Sequence, residues 1–114
     1  MNEAMKQKIE NGEVFLGIEL GSTRIKAVLI DNTYAPIASG GYNWENRLED
    51  GYWTYHLDDV WTGVQTSFRE LAKDVSERYG AALTKVASMG VSAMMHGYLA
   101  FDKEGNQICP FRTW

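Results

Sequence analysis

Cysteine, proline and long apolar runs are what this sequence has least of: one Cys, two Pro, and no stretch of membrane-spanning length. Cys109 stands alone, so an intrachain disulfide is excluded and a reducing compartment is the natural setting. The residue itself reads as a small apolar side chain in or near a strand, not as a catalytic thiol. The first thirteen residues, MNEAMKQKIENGE, are polar and lack the apolar centre of a secretory signal. A cytoplasmic protein with no membrane partner is expected. An excess of basic residues is missing too, with 11 Lys and Arg against 15 Asp and Glu and a net charge of −4. A general nucleic-acid binder carries a basic face, so no nucleic-acid partner is expected.

What is present describes one ordinary domain. The 114 residues are 45% hydrophobic and 23% charged, enough to bury a real core. They close on CPFRTW, apolar and aromatic where domains usually end in solvated tails. A portion of a longer protein is therefore expected, with oligomeric state open to a homo-oligomer.

Residues 14–20 (VFLGIEL) and 25–31 (IKAVLID) are short runs of strand formers, joined by a hairpin-like Gly-Ser-Thr-Arg link. A third strand, roughly 35–43, follows a turn at Asp31-Asn32-Thr33, which makes an antiparallel meander. Residues 44–56 are aromatic and polar without period and read as a loop, with a turn at Glu49-Asp50-Gly51. Then the period changes. Leu57, Val60, Trp61, Val64, Phe68, Leu71, Ala72, Val75 and Tyr79 share one helical stripe, so Trp61 reads as core. Asp58 and Asp59 suit its first turn, Arg78 its last, and Gly80 a left-handed cap. Residues 86–92 (VASMGVS) read as a buried strand reached by a parallel crossover. A second hairpin closes the chain around Lys103-Glu104-Gly105-Asn106. The order is βββαβ plus an added hairpin.

Alternation places Val14, Leu16, Ile18 and Leu20 on one face of the first strand, and Phe15, Gly17 and Glu19 on the other. Beyond Glu19, Gly21 lets the backbone turn, and Ser22 and Thr23 add hydroxyls to the free N–H groups of the turn. Such a concave turn binds anions through its dipoles. A carboxylate beside it would repel phosphate unless a divalent cation stood between them, which makes Glu19 a candidate for Mg²⁺ or its water shell. Arg24 or Lys26 adds positive charge. The residues alone leave a plain hairpin with an exposed edge glutamate equally open.

GIELGSTRIKAVLID resembles the first phosphate motif of the FGGY carbohydrate kinases, in the sugar kinase/Hsp70/actin superfamily: a strand, then Asp-x-Gly-Thr/Ser-Thr/Ser, then a second strand ending in Asp. MGVSAMMHGYLAFDKEGNQICPFRTW resembles that family's later stretch, where a strand leads into Met-His-Gly, a short hairpin and a Trp. The two motifs in order cover nearly all of residues 14–114. The resemblance implies an α/β, ribonuclease-H-like (actin-like ATPase) partial domain, the N-terminal part of the first kinase lobe, preceded by a polar extension at 1–13. It implies a parent that transfers the γ-phosphoryl of ATP to a sugar hydroxyl, a pentulose such as xylulose or ribulose.

Carried over by residue, Glu19 takes the place of the Asp that holds magnesium through water, and Gly21, Ser22 and Thr23 that of the phosphate turn. Met94, Met95, His96 and Gly97 take the place of the segment lining the sugar pocket, and Trp114 that of the aromatic residue before further sugar contacts. Glu at 19 instead of Asp, and Met94 where several members carry Gln, depart from the pattern. The general-base Asp is expected beyond residue 114, so the isolated chain is expected to be inactive.

His96 reads as a pocket wall positioning substrate, and His56 as capping or surface packing. Trp44, Tyr52, Trp53 and Tyr55 are open to packing the loop or facing a sugar, with core packing the expected role. The competing functions are an actin-like ATP-binding switch or sugar-sensing pseudokinase and, last, a ribonuclease-H-like nuclease. The nuclease needs several acids converging on two metals, and the first strand supplies only Glu19.

Overall fold

Alternating burial along β1 (Phe15–Leu20) organises the molecule: Leu16 and Ile18 face inward, Gly17 and Glu19 outward. In β2 (Arg24–Ile30) the inward residues are Ile25, Ala27 and Leu29, all fully buried. With β3 (Pro36–Asn43) these strands form the expected antiparallel meander. A last strand, β6 (Ser88–Ala93), joins β1 in parallel, giving the sheet order β3-β2-β1-β6. The computed structural model describes residues 2–95 and 97–112. His96 and Trp114 therefore lie outside the described residues.

The crossover helix α2 (Leu57–Tyr79) packs across β3 and β2. Gly80 ends it in the left-handed conformation, φ 64°, its N–H donating to the Ser76 carbonyl. The stripe of apolar residues is centred differently from the sequence expectation. Gly63, Ser67, Leu71 and Val75 are the buried positions, while Trp61 is 61% exposed and Phe68 lies at the rim. The reason is the closeness of approach. A Cβ at Gly63 would overlap the Ile25 side chain, and one at Gly40 of β3 would overlap the α2 backbone at Ser67 and Leu71. Only small residues fit there, and the Ser67 hydroxyl donates to the Ile25 carbonyl at 3.0 Å.

Two further expectations are corrected. Residues 44–56 contain a small hairpin of β4 (Arg47–Glu49) and β5 (Tyr52–Thr54), too short to show a period. Asp50 (φ 52°) and Gly51 (φ 80°) make its turn, the two positive dihedrals that a tight hairpin needs. The strand read as buried is exposed along its whole length: among the described residues no element covers Met89 and Val91, although they share the inner face with Leu16 and Ile18. The polar extension carries a helix, α1 (Glu3–Glu10), capped by the Asn2 side chain. Ile9 of α1 is fully buried with Val14 and Val75.

The closing hairpin is held by isolated bridges, Tyr98 with Arg112 and Phe101 with Gln107, and Gly105 takes φ 85° in its turn. Among the described residues no helix is long and apolar enough to cross a membrane.

Candidate functional site

Two segments singled out in the sequence end up side by side. β1 and β6 run parallel, with Glu19 opposite Ser92 and Leu20 opposite Ala93. The Gly21-Ser22-Thr23 turn therefore leaves the same end of the sheet as Met94, Met95 and Gly97. Crevices at the carboxyl ends of parallel strands are where open α/β sheets bind ligands.

Glu19 is exposed on the face away from α2, and among the described residues it forms no ion pair. Lys26 stands opposite it in the register. Arg24 lies on the same face but reaches the other way, its guanidinium covering Gly41 of β3. Beside Glu19 the surface is bare: Gly17 pairs with Gly90 on β6, and a Cβ at either would meet nothing within 4 Å. Sequence reasoning found Gly17 and missed Gly90 and Ser92. The signal was there, because GIEL and GVSA align residue for residue once β6 lies against β1.

Gly21 closes the turn, its N–H donating to the Arg24 carbonyl at 2.9 Å. A Cβ at Gly21 would lie 3.5 Å from Glu19 Oε1, so carboxylate and turn are neighbours. The other side of the turn is anchored. Trp44 Nε1 donates to the Gly21 carbonyl at 2.8 Å, and the Tyr55 hydroxyl to that of Ser22 at 2.6 Å. The Trp44 backbone N–H donates to that of Thr23 at 3.1 Å. Trp44 and Tyr55 are buried with ring centroids 4.3 Å apart, and burial pushes the Tyr55 phenol up, keeping it a donor. Ile25 completes this second core, and Met94 and Phe111 pack against it.

Met94 is thus half-buried against the aromatic pair, Met95 is 79% exposed, and Gly97 sits tightly on the Phe111 ring. Tyr52 is exposed beneath the Arg112 guanidinium, 4.1 Å from its ring centroid. His56 is the N-cap residue of α2 by backbone, yet its side chain caps nothing; its ring meets Glu49 Oε1 at 2.8 Å.

Among the described residues no three His, Cys, Asp or Glu side chains gather where they could hold a metal ion. The Glu19 carboxylate is nonetheless an oxygen ligand of the kind hydrated Mg²⁺ takes, since that ion keeps several waters and needs few protein ligands, while the N–H groups of the turn suit an anion.

The fold, an open sheet with a single crossover helix, is shared with solved sugar-kinase structures. Residues 14–114 match the FGGY family of carbohydrate kinases, N-terminal domain, and the chain belongs to that family. Comparison with curated proteins gave no match. Among solved structures, a xyloylose kinase from Brucella ovis superposes with a TM-score of 0.71 at 21% identity, over 87% of this chain and 20% of that one. A gluconate kinase from Lactobacillus acidophilus gives 0.71 at 20% identity, over 89% and 19%. A ligand-bound xylulose kinase from the same organism gives 0.67 at 20% identity, over 89% and 19%. This chain spans about one fifth of the length of these structures.

Proposed function

We propose that the chain is the N-terminal part of an ATP-dependent kinase whose acceptor is a pentulose such as xylulose or ribulose. The observation that carries the reading is the family match over residues 14–114. The adjacency of the 21–23 turn and the chain leaving β6 at Met94 and Met95 supports it, because phosphoryl transfer needs donor and acceptor held together. Xylulose kinases among the similar structures support the pentulose.

In this reading the N–H groups and hydroxyls of Ser22 and Thr23 hold phosphate oxygens, and Gly21 allows their close approach. Glu19 would hold hydrated magnesium, which when bound neutralises phosphate charge. Met94, Met95, His96 and Gly97 wall the sugar cavity, and Trp114 precedes further sugar contacts. An Asp beyond residue 114 takes the proton of the attacking hydroxyl, so the 114 residues alone transfer no phosphoryl group.

The test is ADP release by the full-length protein with D-xylulose, D-ribulose, gluconate and glycerol in parallel. Turnover dependent on a pentulose is the expected result. Turnover with gluconate or glycerol alone would replace the substrate, and nucleotide binding without transfer to any sugar would favour the ATP-binding switch.

A further inference from the structure

Three consecutive carbonyls, those of Gly21, Ser22 and Thr23, all accept hydrogen bonds from the Trp44–Tyr55 segment. We propose that Trp44 and Tyr55 are positioning residues that set the phosphate turn in its binding orientation; the proposal rests on the kinase reading above. In a planar trans peptide the C=O of one residue and the N–H of the next point in opposite directions. Anchoring the Gly21 carbonyl inward therefore turns the Ser22 N–H outward, and anchoring that of Ser22 does the same for the Thr23 N–H. Two donors are thereby aimed at the side where Glu19 stands.

The constraint is reciprocal. Trp44 and Tyr55 are 6% and 2% exposed, and the turn carbonyls satisfy both the indole N–H and the phenol. Rotating either peptide would leave a buried donor without its partner, which is the costly way to break a hydrogen bond. The rings cannot easily follow the turn. They pack on each other at 4.3 Å, and Phe111 abuts Tyr55 edge-on at 5.6 Å. A Gly-Ser-Thr turn has little stiffness of its own, and this cluster supplies it from outside the motif.

Tyr55→Phe keeps the packed ring and removes one anchor; Trp44→Phe removes the indole donor. Full-length wild type and both variants are compared by sugar and ATP kinetics and by amide hydrogen exchange across residues 21–24. In both variants the KM for ATP is expected to rise about three- to tenfold, with the KM for sugar unchanged. Exchange of the Gly21 amide, held by the Arg24 carbonyl, is expected to quicken while the α2 amides stay protected. An unchanged KM for ATP with unchanged local exchange would overturn the proposal. So would lowered melting temperatures with all kinetic parameters shifted alike, since that is mere loss of packing. If wild type shows no sugar-dependent turnover, the kinase reading fails, and the exchange comparison still reads whether the anchors hold the turn.

Discussion

Gly40 on β3 and Ser67 on α2 meet backbone to backbone, with no room for a methyl group between strand and helix. Gly40→Ala is expected to destabilise the chain by about 1–3 kcal/mol, the usual cost of overpacking. Gly90→Ala meets open space and is expected to change stability by less than about 0.5 kcal/mol. Urea titration of the two variants checks both, and equal losses would refute the close approach of α2.

Glu19→Ala in the full-length protein is expected to reduce magnesium-dependent turnover by about a hundredfold or more. The side chain is exposed and outside every ion pair of the described residues, so the melting temperature stays near that of wild type. Undiminished turnover would remove Glu19 from the site.

Replacing Trp61 by Gln is expected to cost less than about 0.5 kcal/mol, because the ring is mostly in solvent. Leu71→Ala, at a fully buried position of the same helix, is expected to cost about 2–5 kcal/mol. Denaturant midpoints that rank the two the other way would place the helix face wrongly.

Asp31 caps the β2–β3 turn, accepting from the Thr33 hydroxyl at 2.6 Å and the Thr33 N–H at 2.8 Å. The hydroxyl bond, then the backbone bond, hold its carboxyl below the ordinary value of 3.8. A carboxyl depressed in the folded state contributes stability above its unfolded pKa and loses it as pH falls through the folded one. Thr33→Val is therefore expected to raise the Asp31 pKa toward 3.8, read by carboxyl-carbon NMR titration. Its stability deficit is full at neutral pH and narrows in acid, below the unfolded value.

The meander, the crossover and the end of α2 at Gly80 were legible because each follows from a local pattern: alternation, helical period, a glycine cap. The face of α2 was less so. Gly63 and Ser67 occupy the tightest contact because they are small, and a reading based on apolarity passes over both. α1 escaped for a related reason, since Met5 and Ile9 are its only large apolar residues, and Ile9 matters only once the core is assembled. β6 misled in the opposite sense: apolar residues suggested burial, while Met89 and Val91 are exposed among the described residues. At the candidate site the turn and Glu19 could be read, but the anchoring by Trp44 and Tyr55 spans more than twenty residues and leaves no local pattern.

Because β1 buries its even-numbered residues and β2 its odd-numbered ones, the accessible carboxylate is a by-product of parity. Deleting one residue ahead of Glu19 within β1 would send that charge into the oily side and push Ile18 into water. What keeps the acid on the reactive side is thus the greasy contact behind it, and a lesion among Leu16, Ala27 and Leu29 would be felt at the opposite surface.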